Sequence, residues 1–402
     1  MNRVLALVLA AGCVAGSYAT DARVDVMGRH DAFFRDEISV FRNPADMSLY
    51  PNMLYGSYGW VDNARNRDVY TNMRQNLKLS DPFFGSMFSY KLSEAENSPM
   101  ISFGAFVNRR DRLVDELVRA SGVTFRDQGY DLEWNLKEPV GKLDLMFGYD
   151  MGNGLALGLG LYGAHQKIQK SDVVMNQSGV YKLTAGINWN LDQGLDFEAS
   201  VNGGSMIGRY REVPTAPLVK VCDGDYFYRG DVRFFSAVPA INGAFVPQVS
   251  MELMKLNKNE ILDVTGGIGV NVNIDRGFFW GGLQGLYTQV DRDGKSDNES
   301  IGARISFGIE RNIVWDWFLI RVGGEKEVRY LSSGDKSSHW VEYNKLNHDD
   351  DDGLVGLGFG VNIDNRLRVD FVSTNDIAYT FSNLISGPQL SLFKKISATY
   401  RF

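Results

Sequence analysis

Charged side chains of both signs occupy alternate positions in several stretches of the chain, and their types and spacing suit ion-pair chemistry. Residues two apart point to the same face of a β-strand. If that face lines an interior, mixed signs favour cross-strand ion pairs, whereas a charge-selective pore would concentrate one sign at a constriction. We therefore expect ion pairs that fill or narrow an interior. The residues of this face are Asp196, Glu198, Asp231, Arg233, Arg304, Arg321, Glu325, Arg368 and Asp370.

A run of four aspartates is the candidate metal site. It follows His348 and consists of Asp349, Asp350, Asp351 and Asp352. Several carboxylate oxygens are what Ca²⁺ requires, but the run lacks the spaced ligands and central Gly of an EF-hand loop. A solvated acidic loop explains the run better, so we predict no metal ligand.

Four histidines are the candidate general bases: His30, His165, His339 and His348. None lies in a nucleophile motif such as G-x-S-x-G, and the zinc-binding spacing H-E-x-x-H does not occur. We therefore predict that the protein is not an enzyme and that it has no catalytic residues and no cofactor.

Composition favours a β-rich protein. The 402 residues include 43 Gly, 24 Phe, 18 Tyr and 7 Trp but only 10 Pro. The net charge is -7 and no Lys/Arg cluster is present, which excludes the basic stripe expected of a nucleic-acid partner. The mean hydropathy of -0.21 does not exclude a membrane protein, because barrels alternate apolar and polar residues.

The N-terminus has the layout of a secretory signal peptide over residues 1–19. Arg3 is followed by an apolar stretch and by a small-x-small site that ends at Ala19. The stretch is shorter than the roughly 20 residues of a transmembrane helix. An alternative is a lipoprotein signal with Cys13 acylated, although Ala10 is a poor residue three positions before that cysteine.

Period-two alternation is the main structural signal. Over 180–191, Tyr181, Leu183 and Trp189 fall on one face and polar residues fall on the other. A strand with one face toward lipid and the other toward a polar lumen needs this pattern. The segments that carry it are 53–61, 84–93, 99–109, 143–151, 154–165, 180–191, 194–204, 228–238, 244–256, 260–273, 278–290, 300–311, 317–330, 353–363, 366–374 and 390–402.

These segments predict an all-β fold, namely a transmembrane antiparallel up-and-down β-barrel of 14–16 strands. The lower number applies if short segments such as 84–93 and 366–374 are loops. Glycine runs at 158–163 and 266–269 lie inside predicted strands rather than at strand-to-helix turns, so they are not phosphate-binding loops. We interpret them as positions that ease the curvature of the barrel.

The connections between the segments alternate in length. Bacterial barrels keep periplasmic turns short and let extracellular loops run long. This rule places both termini in the periplasm, the barrel at 51–402, and residues 20–50 in the periplasm or the lumen. The short connections are 94–98, 152–153, 192–193, 239–243, 274–277, 312–316 and 364–365, and the long ones are 110–142, 166–179, 205–227, 331–352 and 375–389, with 257–259 as one short outer loop.

Aromatic residues near the predicted strand ends fit the membrane–water interfaces, where a ring with one polar edge is satisfied. A packed core position is the alternative for any one of them. They are Tyr55, Tyr58, Trp60, Trp280, Trp315, Trp317 and Tyr400.

Two short motifs resemble known outer-membrane proteins. The last strand carries Ile396, Ala398, Tyr400 and Phe402 at alternate positions. This pattern resembles the C-terminal signal by which the barrel-assembly machinery recognises its substrates. The resemblance implies that machinery as a partner.

The second motif, Asn43-Pro44-Ala45, stands shortly before the aromatic first strand at 54–60. It resembles the long-chain fatty-acid transporter superfamily, which also includes barrels of the type IX secretion system. That resemblance implies a barrel of 14 strands. A turn before strand one, with Pro44 restricting the preceding residue, explains the same element.

These patterns together predict a bacterial outer-membrane barrel that contacts outer-membrane lipid and does not bind nucleic acid. The first hypothesis for its function is transport or gated passage of small, apolar molecules through the lumen. The second is a closed barrel that acts as a protein-secretion or envelope-interaction partner, with a secreted protein as its ligand.

Overall fold

The structure, a computed structural model, shows a β-sheet that closes on itself. It describes residues 21–28, 30–61, 78–95, 97–118, 136–191, 194–211, 213–256, 259–292, 295–313, 315–333, 338–343, 355–364, 366–373 and 393–402.

Each strand of the sheet pairs antiparallel with its neighbours in sequence order. The strands are β1 Met53–Val61, β2 Lys78–Lys91, β3 Met100–Val107, β4 Gly141–Asp150, β5 Leu155–Lys170, β6 Val173–Leu191, β7 Leu195–Tyr210, β8 Val219–Val238, β9 Gly243–Leu256, β10 Asn259–Ile274, β11 Gly277–Arg292, β12 Lys295–Asn312, β13 Phe318–Ser333, β14 Ser338–Tyr343, β15 Val355–Ile363, β16 Leu367–Ser373 and β17 Phe393–Arg401.

The sheet is a closed barrel of 16 strands. β17 pairs with β1, from Met53 opposite Arg401 to Gly59 opposite Lys395, which joins the last strand to the first. β14 and β15 occupy one position, because both pair with β13, β14 over 327–332 and β15 over 318–324. The predicted fold class is confirmed, and the count of 14 implied by the family resemblance is wrong for this chain.

The strand bounds correct two predicted loops. Residues 166–179 are not a long loop, because β5 and β6 extend until only Ser171 and Asp172 separate them, both at positive φ. Residues 205–227 likewise belong largely to β7 and β8. Apolar alternation marks only the length of strand that would face lipid, whereas the hydrogen-bonded ladder continues through polar residues beyond it.

The two ends of the barrel differ. We call the end with the connections 92–99, 151–154 and 364–366 the turn end, because these connections are short and β1 begins and β17 ends there. The opposite end is the loop end. At the turn end, Pro239–Ile241 forms a single 3-10 turn between β8 and β9.

The outward face of the barrel is apolar and the lumenal face is polar. Leu161, Leu183 and Val201 point outward and are 56%, 53% and 62% exposed. Charged residues such as Glu310 and Arg321 point into the lumen and are buried. Large contiguous apolar surface is rare on soluble monomers, so this outward face is suited to lipid.

Two predicted interface aromatics face the lumen instead. Trp280 is fully buried, and Tyr55 is 3% exposed with its hydroxyl on Asp21. The prediction was wrong for both because their position near a strand end fits either face. Trp315 and Trp317 are exposed at the turn end, where their rings stack 5.2 Å apart.

The short helical elements are not part of the sheet. The first described element is helix α1, Asp21–Val26, and it is followed by 3-10 helices at Glu37–Phe41 and Pro44–Leu49. Residues 112–118, between β3 and β4, are also helical. None of the helices in the described ranges is long and apolar enough to span a membrane.

The outward face should tolerate charge only near its edges. Val201 lies midway along the apolar part of β7, and Ser205 lies on the same face beside Tyr181. We expect Val201→Arg to lower the free energy of unfolding by about 2–4 kcal/mol and Ser205→Arg by about 0–1 kcal/mol. Denaturant titration of both variants folded into lipid vesicles measures this difference. Equal losses at the two positions would contradict a lipid-facing surface.

Candidate functional site: the occupied lumen

Residues 21–50, the N-terminal segment, lie inside the barrel and fill the half of the lumen nearer the turn end. The segment approaches the wall through Asn43, whose side-chain oxygen accepts a hydrogen bond from the Ala45 N–H at 3.2 Å. The Asn43 amide also donates to the Ile187 carbonyl of β6 at 3.1 Å. Pro44 follows as the first residue of a 3-10 helix. The Asn-Pro-Ala element therefore caps a helix and docks it on the wall.

Glycines of the wall make room for this segment. A Cβ atom added to Gly158 would stand 2.2 Å from the Ala45 nitrogen, and one added to Gly186 would stand 1.8 Å from the Asn43 side-chain oxygen. Gly269 is in the same position against the ring of Phe33, at 2.4 Å. Close approach of the segment, rather than barrel curvature, is therefore the reason for glycine at these positions.

A buried ion cluster holds the start of the segment. Arg23 of α1 donates two hydrogen bonds to Glu310, at 2.9 and 2.8 Å. The same carboxylate accepts from Arg321 at 3.0 Å and from Arg368 at 3.4 Å. Asp370 pairs with both wall arginines, at 2.8 and 3.1 Å. Charges this deeply buried are stable only when paired.

A second cluster holds the middle of the segment. Arg233 of β8 donates to Glu198 at 2.8 Å and to the Phe34 carbonyl at 3.0 Å. Arg35 of the segment donates to Glu198 and, at 2.8 Å, to Asp196. The wall alone carries one negative charge in excess here, and Arg35 neutralises it.

The remaining predicted lumenal charges pair within the wall. Asp231 accepts from Arg229 at 2.7 Å. Arg304 donates to Glu327 at 2.5 Å and lies 3.8 Å from Glu325.

Asp46 is a buried acid of the segment. It accepts from the Ser39 hydroxyl at 2.8 Å and from the Asn188 amide at 3.1 Å. Burial and the nearby charge of Glu198 raise the pKa of Asp46, Arg233 opposes them, and the resulting pKa is about 6. The docked segment therefore holds a carboxyl that titrates near neutral pH.

His30 is buried beside an aromatic cluster. Its Nε2 is 2.6 Å from the Ser306 hydroxyl, and its Nδ1 accepts from the Ala32 N–H at 3.3 Å. Because Nδ1 is an acceptor, Nε2 carries the proton and donates to Ser306, which is the opposite of general-base polarity. The ring centroid of Trp280 lies 5.1 Å away, and that of Phe33 lies 5.8 Å away. This arrangement packs the segment against the wall.

A second piece of chain enters the lumen from the loop end. Residues 108–118, the inserted loop, are held by Arg109, which donates to Asp144 at 2.9 and 2.7 Å. Lys182 of the wall donates to Asp111 at 2.5 Å. Sequence analysis placed residues 110–118 in the outer loop 110–142, although Leu113, Val114 and Leu117 at helical spacing were a signal for a packed helix.

The inserted loop builds an apolar cluster in the outer half of the lumen, which we call the outer apolar cluster. Leu113, Val114 and Leu117 are buried there. The wall contributes side chains from several strands, including Tyr162, Val180, Met206, Phe227, Met254 and Ile261. An apolar lumenal surface is unexpected in a water-filled channel, whose interior is polar.

The two lumenal elements touch. The Arg109 guanidinium lies 4.3 Å from the centroid of Phe41, a residue of the N-terminal segment, and 5.1 Å from that of Tyr162. Cation–π contacts of this kind are worth about 0.5–2 kcal/mol. The inserted loop and the N-terminal segment thus occupy the lumen in series.

Two other predicted sites are placed as follows. Ile396, Ala398, Tyr400 and Phe402 alternate with buried residues on β17 and point outward. The run 349–352 lies outside the described residues. Within the described ranges, no group of three or more His, Cys, Asp or Glu side chains is arranged to hold a metal ion.

Comparisons with known proteins give remote likenesses. No protein-family model matches the chain, and no curated protein matches it in sequence. Similar solved structures include a TodX monoaromatic hydrocarbon channel mutant, with 8% identity, 95% of this chain and 99% of that chain covered, and a TM-score of 0.40. Another is BamA from Haemophilus ducreyi, which is 7% identical, covers 87% of this chain and 70% of its own, and has a TM-score of 0.37. A third is OmpT of Vibrio cholerae lacking loop L8, which is 8% identical, covers 87% of this chain and 97% of its own, and has a TM-score of 0.32.

The glycine contacts predict which substitutions release the N-terminal segment. Gly158→Ala should displace residues 43–45, because the added methyl group overlaps the backbone at Ala45, and such overpacking costs about 1–3 kcal/mol. Hydrogen exchange of residues 30–50 should then become faster. Gly230→Ala is the control, since a Cβ there meets nothing within 4 Å. Unchanged exchange in Gly158→Ala would show that the segment is not docked there.

The pKa of Asp46 predicts pH-dependent docking. It is about 6 in the docked segment against an ordinary value of 3.8, so the docked state binds more protons between these values. Lowering the pH from about 7 to about 5 should strengthen docking, and Asp46→Asn should remove much of that gain. Hydrogen exchange of residues 30–50, corrected for intrinsic rates, measures it. Asp316→Asn, at an exposed turn-end carboxylate, should keep the full pH dependence.

Proposed function

We propose that this chain is an outer-membrane barrel of a bacterial cell envelope, with the turn end in the periplasm. Two features support the location: the exposed apolar outward face and the closed sheet, which leaves no unpaired strand edge. The signal-like N-terminus and the terminal aromatic strand are consistent with export and barrel assembly. On this proposal, the assembly machinery reads the outward residues of β17, including Tyr400 and Phe402.

We assign to the barrel gated passage of small apolar molecules. The observation that carries this function is the way the N-terminal segment is held. It lies in the lumen without joining the sheet, and Arg23 brings its own counter-ion, Asp36, 3.6 Å away. The wall cluster of Glu310, Asp370 and two arginines is balanced by itself. At this cluster, departure of the segment would therefore leave no net charge on the wall and none on the Arg23–Asp36 pair of the segment.

The outer apolar cluster supports an apolar cargo. A solute entering from the loop end meets Leu113 and Leu117 of the inserted loop packed on apolar wall residues. Such a surface favours solutes that gain by leaving water, at about 25 cal/mol per Å² buried. A polar solute would find no hydrogen-bonding partner in the side chains of Leu113, Val114 and Leu117.

The alternative function is a permanently closed barrel that serves protein secretion or envelope organisation. The contact between Arg109 and Phe41 favours it, because it joins the two lumenal elements into one packed column. Breaking a buried ion pair by removal of one partner costs about 3–5 kcal/mol, which resists opening. We also propose that the protein is not an enzyme, in line with the hydrogen-bond polarity at His30.

Conductance separates these functions. Glu310→Gln removes the wall carboxylate that pairs with Arg23 and should destabilise the docked segment by about 3–5 kcal/mol, which raises the released fraction by about two to four orders of magnitude. In planar bilayers we expect rare openings of the unaltered protein and far more frequent ones in this variant. Liposomes that contain Glu310→Gln should likewise take up an apolar fluorescent solute faster than liposomes that contain the unaltered protein.

Glu327→Gln is the matched control, because it removes a lumenal acid that pairs with Arg304 and Arg329 of the wall rather than with the segment. If neither the unaltered protein nor Glu310→Gln conducts ions or admits the apolar solute, gated passage is wrong and the closed-barrel function gains.

A further inference from the structure

Three basic residues form a line on the outward face near the loop end. Lys167 of β5 and Arg209 of β7 both stand opposite Gln177 of β6, and Arg209 stands opposite Lys220 of β8. Because neighbouring strands lie about 4.8 Å apart, the three side chains span about 15 Å along the hydrogen-bonding direction. A strand tilt of about 40° inclines that direction to the membrane plane, so the two ends of the line differ in height by about 9 Å. We call Lys167, Arg209 and Lys220 the basic row. The side chains of Arg209 and Lys220 are 33% and 61% exposed.

The height of the basic row follows from β6. Trp189 and Tyr181 point outward on this strand and are 44% and 41% exposed. Their separation of eight positions corresponds to about 20 Å along the barrel axis, given about 3.3 Å per residue and a tilt of about 40°. Gln177 lies four residues farther, which is about 10 Å beyond Tyr181. An apolar band is therefore followed by tyrosine and then by the basic row.

We infer that the basic row binds the phosphate groups of a phosphorylated glycolipid in the outer leaflet of the membrane. This inference rests on the outer-membrane location proposed above. Lys and Arg are the side chains that bind phosphate, Arg through paired donors and Lys as a point charge. A row at headgroup height, directly above a lipid-facing surface, places these charges where such phosphates lie.

Charge around the row supports this partner. Asp223 accepts hydrogen bonds from Lys220 at 2.7 Å and from Arg209. With Asp223 included, the group still carries a net charge of +2. Near the same end, Glu260 of β10 stands opposite Asp291 of β11, and Lys255 lies 3.8 Å from Glu260. The positive surface is therefore local and is not a general property of the rim.

A lipid suits the row better than a free anion. Exposed ion pairs alone are worth about 0–1 kcal/mol each, so a free phosphate would gain little from three exposed side chains. A phosphate that is joined to acyl chains gains in addition from the apolar surface below, where Leu161 and Leu183 are exposed. A single molecule can contact both the basic row and the apolar band only if it carries phosphate groups and acyl chains.

Binding of labelled lipid A to the full-length barrel in neutral detergent micelles tests the inference. Lys167→Gln/Arg209→Gln/Lys220→Gln should weaken apparent affinity about tenfold or more. Asp223→Asn should strengthen it, because the substitution removes the competing carboxylate. A gain of this kind cannot arise from misfolding.

The control for the triple variant is Arg276→Gln/Arg311→Gln/Arg366→Gln, which removes three exposed positive charges at the turn end. It should bind lipid A as the unaltered protein does. Dephosphorylated lipid A and inorganic phosphate should both bind at least about tenfold more weakly than lipid A.

Each outcome decides the inference. Equal binding by the triple variant and the unaltered protein, or a loss in Asp223→Asn, overturns it. Equal binding of inorganic phosphate shows a free-anion site and also overturns it. The binding assay does not depend on transport. If the barrel binds lipid A as expected but shows neither conductance nor solute uptake, gated passage is wrong and this inference stands. If cell fractionation finds the protein outside the outer membrane, both the proposed function and this inference are wrong.

Discussion

The width of a 16-strand barrel is the constraint on which the rest of the structure depends. About eight strands enclose a space that side chains alone can fill, and wider barrels enclose water or additional chain. Among the described residues, two additional pieces of chain occupy the lumen: the N-terminal segment near the turn end and the inserted loop near the loop end. The wall is adapted to both, with glycine where backbone approaches closely and with paired charges where polar groups are buried.

Ion pairing and close packing divide the work of holding the N-terminal segment. Gly158 and Gly186 admit the backbone around Asn43, which fixes its position to within a methyl group. The charges around Glu310 and Glu198 then determine orientation, because each guanidinium must face a carboxylate. The cluster around Glu310 is neutral on each side of the interface, whereas the cluster around Glu198 needs Arg35 from the segment. The middle of the segment is therefore held more strongly by charge than its start.

The strands could be predicted from sequence because lipid on one side and a polar lumen on the other impose a period of two. The same period also determines the side of Trp280. Leu283 points outward, and residues an odd number of positions apart lie on opposite faces, so Trp280 points into the lumen. The extent of β5 to β8 could not be read in this way. Beyond the apolar band the outward face is polar, whereas the lumenal face carries apolar residues such as Met206 and Val221, which reverses the pattern. The contents of the lumen were equally hidden, because alternation reports which way Gly158 faces and not that Ala45 lies against it.

The two lumenal elements present different barriers to a solute in the proposed passage. The inserted loop rests largely on apolar contacts, which lack direction and can be exchanged gradually for contacts with an apolar solute. The N-terminal segment also packs apolar side chains, but its hydrogen bonds and ion pairs have fixed geometry, and a half-broken network costs more than an intact or an absent one. Release of the segment is therefore expected to be cooperative. It follows that the rate of passage is controlled by the turn-end half of the lumen, whereas the choice of solute is made in the outer half.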